Sequence, residues 1–357
     1  MATCRLVERP RITLKQVAED VGVSPMTVSN AFNRPDQLSA ALRERILERA
    51  RKLGYPGPDP MARGLRRGHA GAIGVISDTK LSYAFDDPAA SAVIAGVCAV
   101  TEEEGLGVLL VPPGGSAPLS GAVIDGIVVY SVAQGDPLLA LAVARRLPAV
   151  VIDQPVGTGL PRVGIDDEAA ARTAARHLTA LGHRRVAVVA FGLSPDGRTG
   201  PADLMRRRNA GYAVSRARLA GYGAAADEAG IDWAGVPVHE CAGSIRAAGR
   251  AAAERLLAAE HRPTAILATS DVLALGVLDA AAAAGLRVPH DVSVVGFDDV
   301  PAAAEARLTT IRQDHRAKGR LAGELLVAAL RGERVAAPAT LPHELVVRDS
   351  TAPPATA

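Results

Sequence analysis

Apolar positions over residues 12–39 recur with the spacing of two short helices joined by a tight turn. Val17, Ala18 and Val21 share one face of the first helix, and Thr13 with Gln16 three residues later forms a capping box at its start. Gly22 stands where that helix stops and the chain must turn. Ser24 offers a second N-cap, and Pro25 suits the first helical position, where a missing N–H costs nothing. The second helix turns Val28 and Phe32 inward, while Met26, Thr27, Ser29 and Asn30 crowd its other side with small or hydrogen-bonding groups. Such a face suits the major groove of DNA, where side chains must reach base edges and phosphates. A helical hairpin that only packs is the plain alternative. Ser39 opens a third helix over 40–53, with Leu42, Ile46, Ala50 and Leu53 on one face. Arg49, Arg51 and Lys52 complement its dipole, and Gly54 ends it.

From Ala72 the pattern changes to continuous apolar runs separated by helical stretches. AIGVIS (72–77), GVLLVP (107–112), DGIVVY (125–130) and AVVID (149–153) read as buried parallel strands, with helices near 88–104, 135–147 and 167–181. A second set comprises RRVAVVAF (184–191), VPVHEC (236–241), TAILAT (264–269) and VSVVGF (292–297). Its helices fall near 204–229, 244–259, 271–284 and 315–331. Two successive βαβ sets predict two doubly wound α/β subdomains, roughly 71–180 and 184–310, with a cleft between them. LTTIRQD (308–314) and HELVVRD (343–349) are late strands near the junction, and residues 350–357 read as a disordered tail. The predicted organisation is therefore an all-α helix-turn-helix head (1–57), a linker (58–70) and an α/β core (71–349).

The linker carries its own signal. Prolines and glycines mark 55–71, yet Asp59-Pro60 is an N-cap followed by a first-turn proline, and residues 61–67 can form about two helical turns. Two turns are far below the ~12–15 residues at which an isolated helix becomes stable. Arg63, Arg66 and Arg67 point to DNA as what holds it.

Charge sharpens the picture. Residues 1–69 carry 13 Lys/Arg against 7 Asp/Glu, net +6, while the remainder carries 27 against 31, net −4. A basic head on a slightly acidic body fits a DNA-binding module joined to a sensor. No apolar run reaches the ~18 residues that span a bilayer, and MATCRLVERPRITLK has no apolar h-region, so the expectation is a cytoplasmic protein. Cys4, Cys98 and Cys241 are odd in number and widely spaced, reading as reduced thiols. No Gly-rich phosphate loop, HExxH or GxSxG is present, and the eight histidines are scattered. The chain is expected to be neither an enzyme nor a metal or cofactor protein. A solute-binding protein serving a transporter is one rival reading, which the basic head opposes, and an enzyme built on the same core is another.

Several segments together carry a family resemblance: ITLKQVAEDVGVSPMTVSNAFN, the ARGL linker, DGIVV, RHLTALGHRRVAVVA, RARLAGY, TSDVLALGVLDAAAAAGLRVPHDVSVVGFDD and LTTIRQD. Over nearly its whole length the chain resembles the LacI/GalR family of transcription regulators, the lactose-repressor type. The resemblance implies a hinge helix over 58–70 and a core like that of periplasmic sugar-binding proteins. It implies a repressor that binds a palindromic operator as a homodimer and answers to a sugar-like effector. It also implies that Pro25, Met26 and Asn30 read bases, while Ser24, Thr27, Ser29 and Asn33 contact mainly phosphates. Leu65 matches the hinge leucine that enters the minor groove, although its linker is one residue longer than usual and Gly64 weakens the hinge helix.

For the effector cleft the resemblance points to Asp153, Arg218 and Asp271, at strand ends or helix starts, where open α/β sheets bind ligands. Carboxylates and a guanidinium there can pair with ligand hydroxyls. Asp271 also fits a helix N-cap, and Arg218 a salt bridge within its helix. The loop from Asp78 to Pro88, with Tyr83 and Phe85, is expected to cover the first subdomain's side, with Phe85 at the effector. Ser244 stands where relatives often place an aromatic. Residues 192–215 form a longer connection than usual, which either caps the cleft or is a surface loop. No leucine heptads mark a tetramerising coiled coil.

Overall fold

The head is built from α1 (Leu14–Val21), α2 (Pro25–Asn33) and α3 (Ala40–Leu53), with a 3-10 turn at Pro35–Gln37. This computed structural model describes residues 12–57, 69–114, 116–335 and 339–355. The capping box of Thr13 and Gln16 is present, and Gly22 adopts the left-handed φ of 74° that ends α1. Ser24 accepts from the Thr27 N–H at 3.1 Å. Val17, Ala18, Val28, Ala31, Ile46 and Ala50 form the small core, and Arg49 clamps α3 to α1 through a two-pronged pair with Asp20 at 2.6 and 2.7 Å. The expected hinge residues 58–68, Leu65 among them, lie outside the described residues.

The chain divides between Ala70 and Gly71. The core begins β1 (Ala72–Ile76), α4 (Leu81–Asp86), α5 (Pro88–Glu103), β2 (Gly107–Val111), α6 (Ser116–Gly121) and β3 (Gly126–Tyr130). It continues through α7 (Pro137–Ala144), β4 (Ala149–Ile152), β5 (Arg162–Gly164), α8 (Asp167–Ala180) and β6 (Val186–Ala190). Next come β7 (Gly200–Pro201), α9 (Leu204–Arg208), α10 (Ala213–Glu228), β8 (Val238–Glu240), α11 (Arg246–Leu257) and β9 (Ala265–Ala268). The last elements are α12 (Asp271–Ala283), β10 (Ser293–Val295), α13 (Pro301–Glu305), β11 (Thr310–Arg312), α14 (His315–Leu330), β12 (Ala339–Thr340) and β13 (Glu344–Val346).

These strands form two main sheets. The first is parallel throughout, ordered β12-β5-β4-β3-β1-β2; the second runs β10-β9-β6-β8-β7, with only β7 antiparallel. Their strands are apolar on both faces because helices cover both sides. β11 and β13 pair antiparallel as a separate ribbon.

The expected boundaries need two corrections. Helix α8, read as part of the first subdomain, packs on α10 over the second sheet, with Ala170, Ala171, Ala174 and Leu178 in that core. Helix α14, read with the second set, packs on α5 and lies over β3, β4 and β5 of the first sheet. The reason is that the chain crosses between the subdomains after β5, again before α14, and once more after β12, so neither subdomain is one contiguous stretch. The α5–α14 contact is close because it is made of glycines: a Cβ at Gly319 would collide with the Val93 carbonyl oxygen, and one at Gly96 with that of Arg316.

The expected disorder from residue 350 is also corrected. Ser350 donates to the Val294 carbonyl at 2.6 Å, and Ala352 N–H donates to Ser293 Oγ at 3.1 Å. The buried His183 ring meets the Ala352 carbonyl at 2.9 Å. Hydrogen bonds to the second sheet therefore hold the segment through 352, which an apolar pattern does not reveal.

Candidate functional site

The first turn of α2, with the residues expected to contact DNA, is the exposed end of that helix. Pro25 at its first turn fixes the backbone, and Met26 beside it is 64% exposed, although apolar. Ser24 and Thr27 hydroxyls bond each other at 2.8 Å on the same exposed end. Asn30 donates its amide to Gln37 Oε1 at 3.1 Å, which orients it without burying it. Ser29 differs from expectation: it is buried, and Asn33 donates both to its carbonyl at 3.0 Å and to its hydroxyl at 3.3 Å. Those bonds turn Ser29 and Asn33 toward their own helix.

In the core a cavity of about 630 Å3 opens where the C-terminal ends of both sheets face one another. Its floor is a chain of charge. Arg218, 5% exposed, donates to Asp167 Oδ1 at 2.9 Å and to the Thr269 carbonyl at 2.5 Å. Its guanidinium stacks 3.6 Å from the Phe297 ring centroid and lies 3.9 Å from Asp298 Oδ1. Burial works against this charge, and the Asp167 and Asp298 carboxylates more than offset it. Asp298 in turn takes Gln313 Nε2 at 2.7 Å and lies 3.3 Å from His315 Nε2. Burial favours its neutral form, but His315, Arg218 and Gln313 outweigh that and hold it below the usual carboxylate range. Gln313 Oε1 accepts from the Lys318 ammonium at 2.5 Å, and Lys318 reaches Asp153 Oδ1 at 2.6 Å. This network joins α10 and the loop after β10 to α14 and the loop after β4, so it spans both subdomains.

Two of its carboxylates sit on left-handed backbone, Asp153 at φ 60° and Asp298 at φ 124°. Aspartate tolerates this better than most residues because its short side chain bonds locally. Above the floor, Tyr83 donates across the cleft to the Ser244 carbonyl at 2.9 Å. Asp87 caps α5 through the Ala89 N–H at 3.1 Å. Burial, with Asp298 nearby, pushes its carboxyl up to about 6. Tyr83, Tyr130, Phe191 and Tyr212 supply aromatic walls. Hydroxyls, amides and carboxylates beside rings suit a polyhydroxylated ligand. Among the described residues no cluster of three His, Cys, Asp or Glu is placed to hold a metal, and no helix is long and apolar enough to cross a membrane.

Residues 13–57 match the family of bacterial regulatory proteins of the lacI type, and residues 175–351 match the periplasmic binding protein-like domain. The chain is 44% identical over 357 residues to the HTH-type transcriptional regulator Rv3575c of Mycobacterium tuberculosis, an alignment covering 97% of this chain and 99% of that protein. The chain belongs to the LacI family of transcriptional regulators. Among solved structures, the lac repressor dimer bound to operator and the anti-inducer ONPF is similar at a TM-score of 0.77 and 26% identity, covering 96% of this chain and all, 100%, of that one. The complex of the regulator CelR with cellobiose is similar at a TM-score of 0.68 and 28% identity, over 95% and 100%.

In this LacI-family regulator the expected effector residues separate into two groups. Asp153 and Arg218 line the cavity; Asp271 and Phe85 do not. Asp271 is fully buried, accepting from Thr310 Oγ1 at 2.6 Å and from the Val300 N–H at 2.9 Å. Nor is it the cap, because the Ser270 hydroxyl takes that place on the Leu273 N–H. Phe85 is 60% exposed on the outer side of α4, while Tyr83 two residues earlier enters the cleft. Arg218 makes its ion pair with Asp167 of α8 and not within its own helix. Sequence reading assigned no role to Asp298, His315 or Lys318, although Asp298 lies within the landmark GFDD and His315 directly follows LTTIRQD.

Proposed function

We propose that this LacI-family regulator is a repressor that binds a pseudo-palindromic operator as a homodimer and is switched by a sugar-like effector in the core cleft. In this reading Pro25, Met26 and Asn30 contact base edges, and Ser24 and Thr27 contact phosphates. Pro25 and Met26 offer apolar contact, for instance to a thymine methyl, and Asn30 can pair with adenine. Ser29 and Asn33 are secondary, since their polar groups serve each other. Asp153, Arg218 and Asp298 would receive the effector, with Tyr83 and Tyr212 as its walls.

The observation that carries the proposal is the polar network at and beneath the cavity floor, where Arg218 lies 3.9 Å from Asp298 and a hydrogen-bonded chain runs from Asp298 through Gln313 and Lys318 to Asp153, linking both subdomains. A ligand that bonds this chain acts on both lobes at once, so its affinity differs between open and closed arrangements. That difference is what shifts a two-state equilibrium. Support for the ligand class comes from CelR, solved with cellobiose on a similar core, and support for operator binding as a dimer comes from the lac repressor. The proposed site of action is the cytoplasm.

The test is selection of genomic DNA fragments by the purified full-length protein, with and without metabolite extract. An inverted-repeat motif whose affinity falls steeply with salt is expected, since each neutralised phosphate releases counterions. Recovery of no preferred duplex under either condition refutes the proposal.

A further inference from the structure

The long connection over 192–215 is a fixed part of the second subdomain. Leu193, Ala202 and Ala210 are buried in its core. Arg206 donates to both Asp196 oxygens at 2.8 Å and to both Glu240 oxygens at 2.7 and 2.9 Å. Glu240 is wholly buried and also accepts from the Leu193 N–H at 2.7 Å. A piece anchored on a buried, fully bonded carboxylate moves with its subdomain.

Its far end crosses the cleft. The Gly211 carbonyl accepts from the Gln134 N–H at 3.2 Å, and the Val214 N–H donates to Gln154 Oε1 at 2.9 Å. Gln134 and Gln154 lie on the loops that follow β3 and β4 of the first subdomain. Gln154 is 3% exposed, lines the cavity, and donates its amide to Ser131 Oγ at 3.4 Å.

Val214 is the second residue of α10, where N–H groups have no partner within the helix. Tyr212, at the N-cap position, makes no side-chain bond to the helix. Gln154 therefore caps, from the opposite subdomain, the helix that carries Arg218 one turn later. Separating the lobes breaks this cap.

We propose that Gln154 is a latch: by capping the Arg218 helix across the cleft it holds the subdomains together in the free protein, and so sets the open-to-closed balance on which the effector acts. The latch stands on the geometry alone; its link to the effector rests on the function proposed above.

Hydrogen exchange of the free full-length protein, resolved to single amides, tests it. In the wild type the Val214 amide should be protected although it lies in a first helical turn, and an unprotected Val214 amide overturns the latch. In Gln154→Met, which fills the space without an acceptor, exchange at Val214 and over 131–136 should quicken about three- to tenfold, the loss of one neutral hydrogen bond. Gln154→Glu keeps an acceptor oxygen in either protonation state and should exchange no faster than wild type. Equal acceleration in both variants, or none in the Met variant, overturns the latch; if the Met variant fails to fold, the wild-type Val214 amide decides. Operator affinity is read separately on the selected DNA. A shift in Gln154→Met supports the coupling, and no shift beside altered exchange overturns the coupling while leaving the latch. If no DNA is selected at all, the proposed function fails and the exchange result stands.

Discussion

Replacing Asp271 with alanine removes the acceptor of two buried donors, the Val300 N–H at 2.9 Å and the Thr310 hydroxyl at 2.6 Å. Each orphaned buried donor costs about 1–3 kcal/mol, and a threonine hydroxyl can turn toward another acceptor, so about 2–4 kcal/mol is expected. At roughly 2 °C per kcal/mol for a domain of this size, Tm should fall by about 4–8 °C. Asparagine keeps the shape, accepts from Val300 and donates to Thr310 Oγ1, so Asp271→Asn should cost less than about 1.5 kcal/mol. The two variants also separate in pH. Burial, with Asp298 close by, pushes the Asp271 carboxyl up to about 7, against the bonds from Thr310 and Val300. A folded pKa above the unfolded value of about 3.9 means the group favours folding only while protonated. Its contribution is full below about pH 4 and is lost as pH rises through 7. Asp271→Asn cannot ionise and should therefore gain on wild type between pH 5 and pH 8. The assay is urea unfolding of the full-length protein at both pH values, followed by the fluorescence of Trp233, the single tryptophan. A cost for alanine below about 1 kcal/mol at pH 5, or an unchanging gap between asparagine and wild type, would refute the reasoning.

Four other predictions concern the cleft, the first subdomain and the head. Arg218→Met strands the Asp167 and Asp298 carboxylates and should cost about 3–5 kcal/mol in unfolding. On the function proposed above, Arg218→Lys should fail to restore effector-triggered operator release, since one ammonium cannot serve Asp167, the Thr269 carbonyl and the Phe297 ring together; a wild-type dose response in the lysine variant would contradict this. Gly319→Ala drives a Cβ into the Val93 carbonyl and should force α5 and α14 apart, lowering Tm measurably; an unchanged melting curve would show that the contact yields. Asn30→Ala should alter which bases are preferred, while Thr27→Ala should weaken all sites alike, read from selected-sequence logos and affinities.

The helix-turn-helix head was legible in the sequence because its signals are local. The capping box of Thr13 and Gln16, the left-handed turn at Gly22, and the Ser24 cap before Pro25 each involve residues within three or four positions. The main buried strands were legible for a related reason: runs such as GVLLVP and RRVAVVAF are apolar on both faces, whichever neighbours they pair with. Short strands β5, β7 and β12 were not, because RVG, GP and AT lie in no apolar run and are held only by their partners.

The site divides along the same line. Asp153 and Arg218 could be placed near the cleft from the ends of apolar runs and from family resemblance. Whether Asp271 or Asp298 faces the cavity turned on which carboxylate the Val300 amide and Thr310 hydroxyl claim, contacts spanning 29 and 39 positions in the chain. Phe85 and Tyr83 differ by two residues on one short helix, and only its packing decides which enters the cavity. Subdomain membership of α8 and α14 was decided by three chain crossings that leave no mark in local composition. Hydrophobic period and capping act over a few residues and were written in the sequence alone. Charge pairing, cross-cleft capping and sheet order join residues distant in the chain, and only the tertiary structure settles which of the available partners meet.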